Sequence, residues 1–128
     1  MLIRNFGTAV LAMLLVVGCG PSGVQLGEVK GRVTLDEKPL PDALVRFLPE
    51  KGRSAQGITD PNGDYKLDYS TRDAGALVGK SKVMITTGSL EDTSRRSEKV
   101  PKKYNDETEL TADVQSGDNT LNFDLKSQ

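Results

Sequence analysis

The sequence predicts an all-β fold, a seven-stranded antiparallel Greek-key β-sandwich, and three observations carry that expectation. Apolar and polar residues alternate in short runs, the period of a strand with one buried face. Turn-forming residues punctuate those runs every 8 to 15 positions. No run has the three-and-four spacing of an amphipathic helix. The chain has 128 residues, enough for one domain of ordinary size with one core.

Across residues 28–35, Val29, Val33 and Leu35 alternate with Lys30, Arg32 and Thr34, and Gly31 takes an inward position. A glycine there lets another backbone or a large side chain approach closely. Asp36, Glu37, Lys38 and Pro39 make the turn, and Pro41 and Asp42 complete the connection. In the second strand, 43–48, Ala43, Val45 and Phe47 face in while Leu44, Arg46 and Leu48 face out. The two leucines make this outer face less polar than that of the first strand, which suits it to partial cover.

After a polar loop at 49–53, a third strand at 54–59 runs into Asp60-Pro61-Asn62-Gly63. Proline presets φ at the second turn position, asparagine is tolerated at the third, and glycine accepts a left-handed conformation, so a hairpin is expected. Its far arm, 64–69, sets Tyr65, Leu67 and Tyr69 against Asp64, Lys66 and Asp68. Residues 70–79 are too short and glycine-rich for a helix of normal length. A fifth strand spans 80–87 with Val83 and Ile85 inward, and the last two span 109–114 and 120–126. These place Leu110, Ala112 and Val114 opposite Leu121, Phe123 and Leu125 across a turn at 116–119. Three phenylalanines, three tyrosines and no tryptophan leave a core mainly of Val, Leu and Ala, filled by its own side chains. Such a core has no room for a large internal ligand.

The first 18 residues read as an export signal. Arg4 supplies a positive start, and 6–17 is an apolar run of 12 residues interrupted only by Gly7 and Thr8. A membrane-spanning helix needs roughly 20 apolar residues, so the run is the core of a signal peptide. Val16-Val17-Gly18-Cys19 then resembles the lipobox of bacterial lipoproteins, in which small residues precede a cysteine that is lipidated and becomes residue one. The resemblance implies cleavage between Gly18 and Cys19 and an acyl anchor on Cys19, with Gly20 rather than aspartate next, as in lipoproteins sent to the outer membrane. Acyl chains contribute about 0.8 kcal/mol per buried methylene, so two or three anchor a protein stably. The expected organisation is a signal peptide at 1–18, a lipidated cysteine and tether at 19–27, and a β-sandwich domain at 28–126.

Several motifs together resemble the carboxypeptidase regulatory-like domains of the transthyretin-like superfamily. They are Val29-x-Gly31-x-Val33, Pro39-Leu40-x-x-Ala43-x-Val45-x-Phe47, Gly57-x-Thr59-Asp60-x-x-Gly63-x-Tyr65 and Gly79-x-x-x-Val83-x-Ile85. The tail, from Val100-Pro101-x-Lys103-Tyr104 through Leu110, Val114, Gly117, Asn119, Phe123 and Leu125, is similar to the small lipoproteins abundant in planctomycete bacteria. The resemblance implies a transthyretin- or prealbumin-like sandwich. Ser81 departs from it, standing where the family usually has an aromatic residue or histidine, and either looser packing on the fifth strand or a small opening is expected there.

Composition narrows the chemistry. The chain has no histidine, and its single cysteine is the one the lipobox claims, which removes Ser-His-Asp and Cys-His catalysis and the usual zinc or iron sites. One cysteine also permits no intramolecular disulfide. Net charge is −1, a balance that suggests no nucleic-acid partner. Asp60, Asn62 and Asp64 resemble the first three ligand positions of a calcium loop, but Tyr65 and Thr71 stand where an EF-hand needs glycine and glutamate, so a plain turn is expected. Glu91 with Asp92, and Asp106 with Glu107, read as solvated surface, with no aromatic sugar platform beside them. The segment 88–103 carries Arg95, Arg96, Lys99, Lys102 and Lys103 against Glu91, Asp92 and Glu98. It is a candidate site for anionic polymer or headgroups, or else a solvated loop whose end Val100 and Tyr104 pin to the sandwich.

The functional expectation is a non-enzymatic, exported lipoprotein held at a bacterial membrane through Cys19, on the outer membrane or a periplasmic face. It needs no metal or other cofactor, and it plays a structural or protein-association role in the envelope. The alternative is an accessory recognition module for glycan, peptide or anionic cell-wall polymer. Oligomeric state is left open, with outward Leu44 and Leu48 marking a candidate association surface.

Overall fold

A computed structural model describes residues 24–88 and 98–128. These residues form an all-β sandwich of two sheets with one short 3-10 helix, Lys102–Tyr104. The strands in chain order are β1 (Leu26–Leu35), β2 (Lys38–Pro39), β3 (Leu44–Pro49), β4 (Ala55–Ile58) and β5 (Asp64–Lys66). They continue as β6 (Ala76–Leu77), β7 (Gly79–Thr86), β8 (Thr111–Val114), β9 (Gly117–Thr120) and β10 (Phe123–Leu125).

The first sheet is built around β1. Along one side β6, β5 and β2 pair with it antiparallel, and along the other β9 and β10 pair with it in parallel. The second sheet has the antiparallel order β4-β3-β7-β8. Each of the seven expected runs contains a strand, and β2, β6 and β9 are additional short segments. The parallel pairs correct the fully antiparallel expectation. The turn expected at 116–119 is replaced by strand β9, because the chain crosses from the second sheet to the first at Gln115 and Ser116. Asn119 holds that crossing: its Oδ1 accepts from the Gln115 amide at 2.9 Å, and its Nδ2 donates to the carbonyls of Glu28 and Gln115 at 2.9 and 2.8 Å. A parallel neighbour for β1 is the geometric result.

The turn after β1 is also tighter than expected. Asp36 and Glu37 both have positive φ, 51° and 70°, which makes a two-residue hairpin whose twist matches its flanking strands. Lys38 and Pro39 are then already paired.

Side chains from the two sheets meet in one core. Val29, Val33, Val45, Phe47, Leu67, Val83, Ile85, Val114 and Leu125 are fully buried in it. Phe47 from β3 meets Phe123 from β10 edge-on, with centroids 6.2 Å apart, and Tyr65 lies 6.3 Å from Phe123. Gly31 sits opposite Tyr65, and a side chain there would collide with the Leu121 carbonyl and press on the Tyr65 ring. The ring covers the glycine and its hydroxyl donates to the Leu121 carbonyl at 2.6 Å. Burial raises the Tyr65 pKa, so the phenol keeps the proton it donates.

Pairing fixes two poles. Leu26, Leu77, Gly79, Pro49 and Val114 lie at one end, since Leu26 pairs with Leu77, Pro49 with Ser81 and Gly79 with Val114. Leu35, Leu44, Thr86 and Leu125 lie at the other. Ten residues of β1 separate them by about 30 Å.

Gly31→Ala is expected to destabilise the domain by about 1–3 kcal/mol through overpacking. Tyr65→Phe, which removes one hydrogen bond and leaves a carbonyl unpaired, is expected to cost about 1–2 kcal/mol. Urea denaturation of the two variants checks both.

Candidate functional site

The sequence marks the segment 88–103 as its candidate binding loop, and its two ends emerge at the pole opposite the start of β1. Arg95, Arg96, Glu91 and Asp92 lie outside the described residues, as do Gly18 and Cys19. Glu98 closes the base of the loop. Its carboxylate accepts from the Thr87 amide and hydroxyl at 2.9 Å each, from the Val100 amide at 3.0 Å, from the Gly88 amide at 3.3 Å and from the Thr86 hydroxyl. Burial alone raises the Glu98 pKa, but the bonds from Thr86, Thr87 and Val100 favour the ionised form and hold it below the usual carboxylate range. The Lys99 amide donates in turn to the Thr87 hydroxyl at 2.7 Å, so the strand leaving the sandwich and the strand returning to it are tied at one point.

Beyond that tie the return segment is pinned down. Val100 is buried, and the buried Asn105 amide donates to the carbonyls of Ile85, Val100 and Pro101. The Tyr104 hydroxyl accepts from the Lys126 amide at 3.1 Å, joining this pole to the C-terminus. Lys99, Lys102 and Lys103 are exposed there, with the Lys103 ammonium 5.1 Å from the Tyr104 ring. Sequence reasoning found the basic residues but counted Glu98 only as an opposing charge and missed Asn105, and these two organise the segment. A single Glu or Asn in a polar stretch carries no local pattern that marks it.

The Asp60–Gly63 turn is closed by Gly63 N–H to the Asp60 carbonyl at 2.9 Å. Gly63 has φ 80°, and a side chain at it would meet the Val33 carbonyl. Asp60 Oδ1 accepts from the Asn62 and Asp64 amides at 2.9 Å each, and Asp64 pairs with Arg32 at 3.0 Å. Both carboxylates are thus engaged in holding the turn. Among the described residues, no three His, Cys, Asp or Glu side chains are grouped to hold a metal ion.

Two surfaces flank the sandwich. On the outer face of the first sheet a cleft of about 810 Å³ is lined by residues that include Lys30, Arg32, Lys66, Asp60, Asp64 and Asp68. Arg32 and Tyr65 reach this cleft with raised pKa values, the first from its hydrogen bond to Asp64 and the second from burial. Both stay protonated at neutral pH, so neither can accept a proton there as a general base. On the outer face of the second sheet, Ile58 pairs with Leu44, Gln56 with Arg46, Arg46 with Met84, and Leu48 with Lys82. Ile58 is 67% exposed and the two leucines and Met84 are half-buried. Arg46 lies among them: one terminal nitrogen donates to Gln56 Oε1 at 3.3 Å, while its buried Nε has no partner. Ser81 itself is buried, and a further concavity of about 510 Å³ is lined by residues that include Leu48, Lys80, Ser81 and Lys82.

The described residues therefore define an all-β sandwich with a clamped basic loop base at one pole and an apolar patch on one face. Among them, no helix is long and apolar enough to cross a membrane. No family model matches the chain, and no curated protein matches it. Among solved structures the chain is similar to a DUF3823 family protein from Parabacteroides merdae, with 13% identity and a TM-score of 0.49. The similarity covers 79% of this chain and 46% of that protein, so this chain spans less than half of its length.

Glu98→Ala is expected to cost about 1–3 kcal/mol, as loss of hydrogen bonds to a charged group does, and to speed amide exchange at Thr87, Gly88 and Val100. Because the folded pKa of Glu98 is depressed from 4.5, its contribution is present above that value and is lost as acid titrates the carboxylate through its lower folded value. Hydrogen exchange of wild type and variant across that acid range checks the sign: the difference between them shrinks as pH falls.

Proposed function

We propose that this chain is a non-enzymatic, lipid-anchored envelope protein with a structural, protein-association role, self-association being its simplest form. The carrying observation is the patch on the outer face of the second sheet, where the 67% exposed Ile58 stands beside Leu44, with Leu48 and Met84 around Arg46. Apolar side chains around an arginine are the composition of an interface centre. The export signal and lipobox support anchoring at Cys19, on the outer membrane or a periplasmic face. Strand β1 begins at Leu26, inside the stretch read as tether. The residues between that cysteine and β1 reach at most about 20–22 Å, so the sandwich stays close to the bilayer. The strand motifs support a seven-stranded Greek-key, transthyretin-like arrangement and kinship with carboxypeptidase regulatory-like lipoproteins of the planctomycete type.

A second reading, recognition of an anionic cell-wall polymer by segment 88–103, is favoured by the position of that segment's ends. They lie at the pole about 30 Å from the start of β1, directed away from the proposed anchor.

Light scattering on residues 20–128, alone and with purified cell-wall polymer, separates the readings. Self-association predicts a defined oligomer whose dissociation constant rises about tenfold or more, roughly 1.4 kcal/mol, in Ile58→Lys or Leu44→Lys. A monomer that gains mass only with polymer replaces this reading with the second. A monomer indifferent to polymer overturns both.

A further inference from the structure

The pole where β1 begins carries a further surface, which borders the association patch where Arg53 and Tyr69 share a concavity with Leu44 and Ile58. Val78 N–H donates to the Gln25 carbonyl at 3.0 Å, tying the incoming chain to this pole. Beside it a concavity of about 510 Å³ is lined mainly by Val24, Leu77, Val78, Tyr69, Gly52 and Lys51. Val24 is 40% exposed. Gly52 has φ 107°, and the tip of Leu77 lies where a side chain at Gly52 would begin, so the loop closes onto an apolar floor. The Arg53 guanidinium stands 5.7 Å from the centre of the Tyr69 ring.

Lys51 lines this floor, and Arg53 and Arg72 are exposed on the two loops that end at the pole. The acidic residues of those loops are Glu50, Asp68 and Asp73; Asp73 accepts from the Ser70 hydroxyl within its own turn, and Asp68 lines the outer cleft of the first sheet. Basic side chains over apolar stems, with a half-buried tyrosine between them, form the combination that settles at a membrane–water boundary. Cations there answer phosphate, and the ring and aliphatic groups answer the acyl boundary.

We propose that this pole is a seat for the surface of an anionic bilayer, with Lys51, Arg53 and Arg72 facing phospholipid phosphates and Val24, Leu77 and Tyr69 entering the headgroup layer. The proposal rests on the lipid anchor at Cys19 proposed above. The length of chain outside the sandwich supplies the occupant. Six residues lie between Cys19 and β1, and they span at most about 20–22 Å. Tethering at that distance corresponds to an effective concentration in the millimolar range, so a weak headgroup affinity suffices. Lys99, Lys102 and Lys103, at the other pole, are about 30 Å too far away to share this contact.

The test uses the full chain purified from bacterial membranes and placed in nanodiscs of phosphatidylcholine, with or without phosphatidylglycerol. Amide exchange at 51–53, 69–72 and 77 is expected to slow in the anionic discs, by about tenfold or more, and to return to the neutral-disc rate in Lys51→Glu/Arg53→Glu or in high salt. Protection at 44–48, on the association face, serves as the reference and is expected to be equal in both lipids. An acylated chain whose exchange at the pole is the same in both lipids, or unchanged by the charge reversal, overturns the seat and leaves the anchor standing. A chain whose mass shows no acyl groups on Cys19 overturns the anchor and the seat with it.

Discussion

Pairing of β1 along both of its edges is the constraint on which the rest of the structure depends. A central strand has two rows of backbone donors and acceptors, and burying them unpaired is costly. Here five short segments supply the partners, three along one edge and two along the other. The parallel partners are the unusual part, since they require the chain to cross from the opposite sheet instead of turning back in a hairpin. Asn119 makes that crossing possible by standing in for backbone hydrogen bonds at the corner. Gly31 lies at the middle of the same strand, where the Leu121 carbonyl comes too close for any side chain, and Tyr65 fills the space left above it.

The long strand also gives the domain its polarity. One pole receives the chain from the proposed anchor, and the other holds the ends of the basic segment. Glu98 is what keeps those ends together, because one carboxylate collects bonds from Thr86, Thr87, Gly88 and Val100 while its charge stays in a half-buried setting. The device resembles a cap that satisfies several orphan amides at once, and it works only while the carboxylate is ionised.

The two outer faces differ for a reason set by residue type. On the first sheet, outward positions hold Lys30, Arg32, Lys66 and Asp64, and the cleft there is rimmed by charged groups, with Ile58 at its border. On the second, Leu44, Leu48, Met84 and Ile58 leave an apolar patch with an arginine whose buried Nε is unpartnered. Leu44 and Leu48 were legible as an outward pair from strand alternation alone. Ile58 and Met84 join them only because β4 and β7 flank β3, which is a matter of sheet order.

Local sequence determined the strand runs, the Asp60–Gly63 turn and the inward glycine, because each is encoded in consecutive residues through period or turn chemistry. The parallel pairing of β9 and β10 was not legible, since hydrophobic alternation marks which face a strand buries and says nothing of its neighbour's direction. Glu98 and Asn105 were equally hidden: each acts by bonding to backbone up to twenty residues away, and only the folded chain brings those groups within reach. The meeting of Lys51 with Leu77 and Tyr69, and of Arg53 with the Tyr69 ring, likewise belongs to the tertiary structure, which carries two separated loops to the pole where β1 begins.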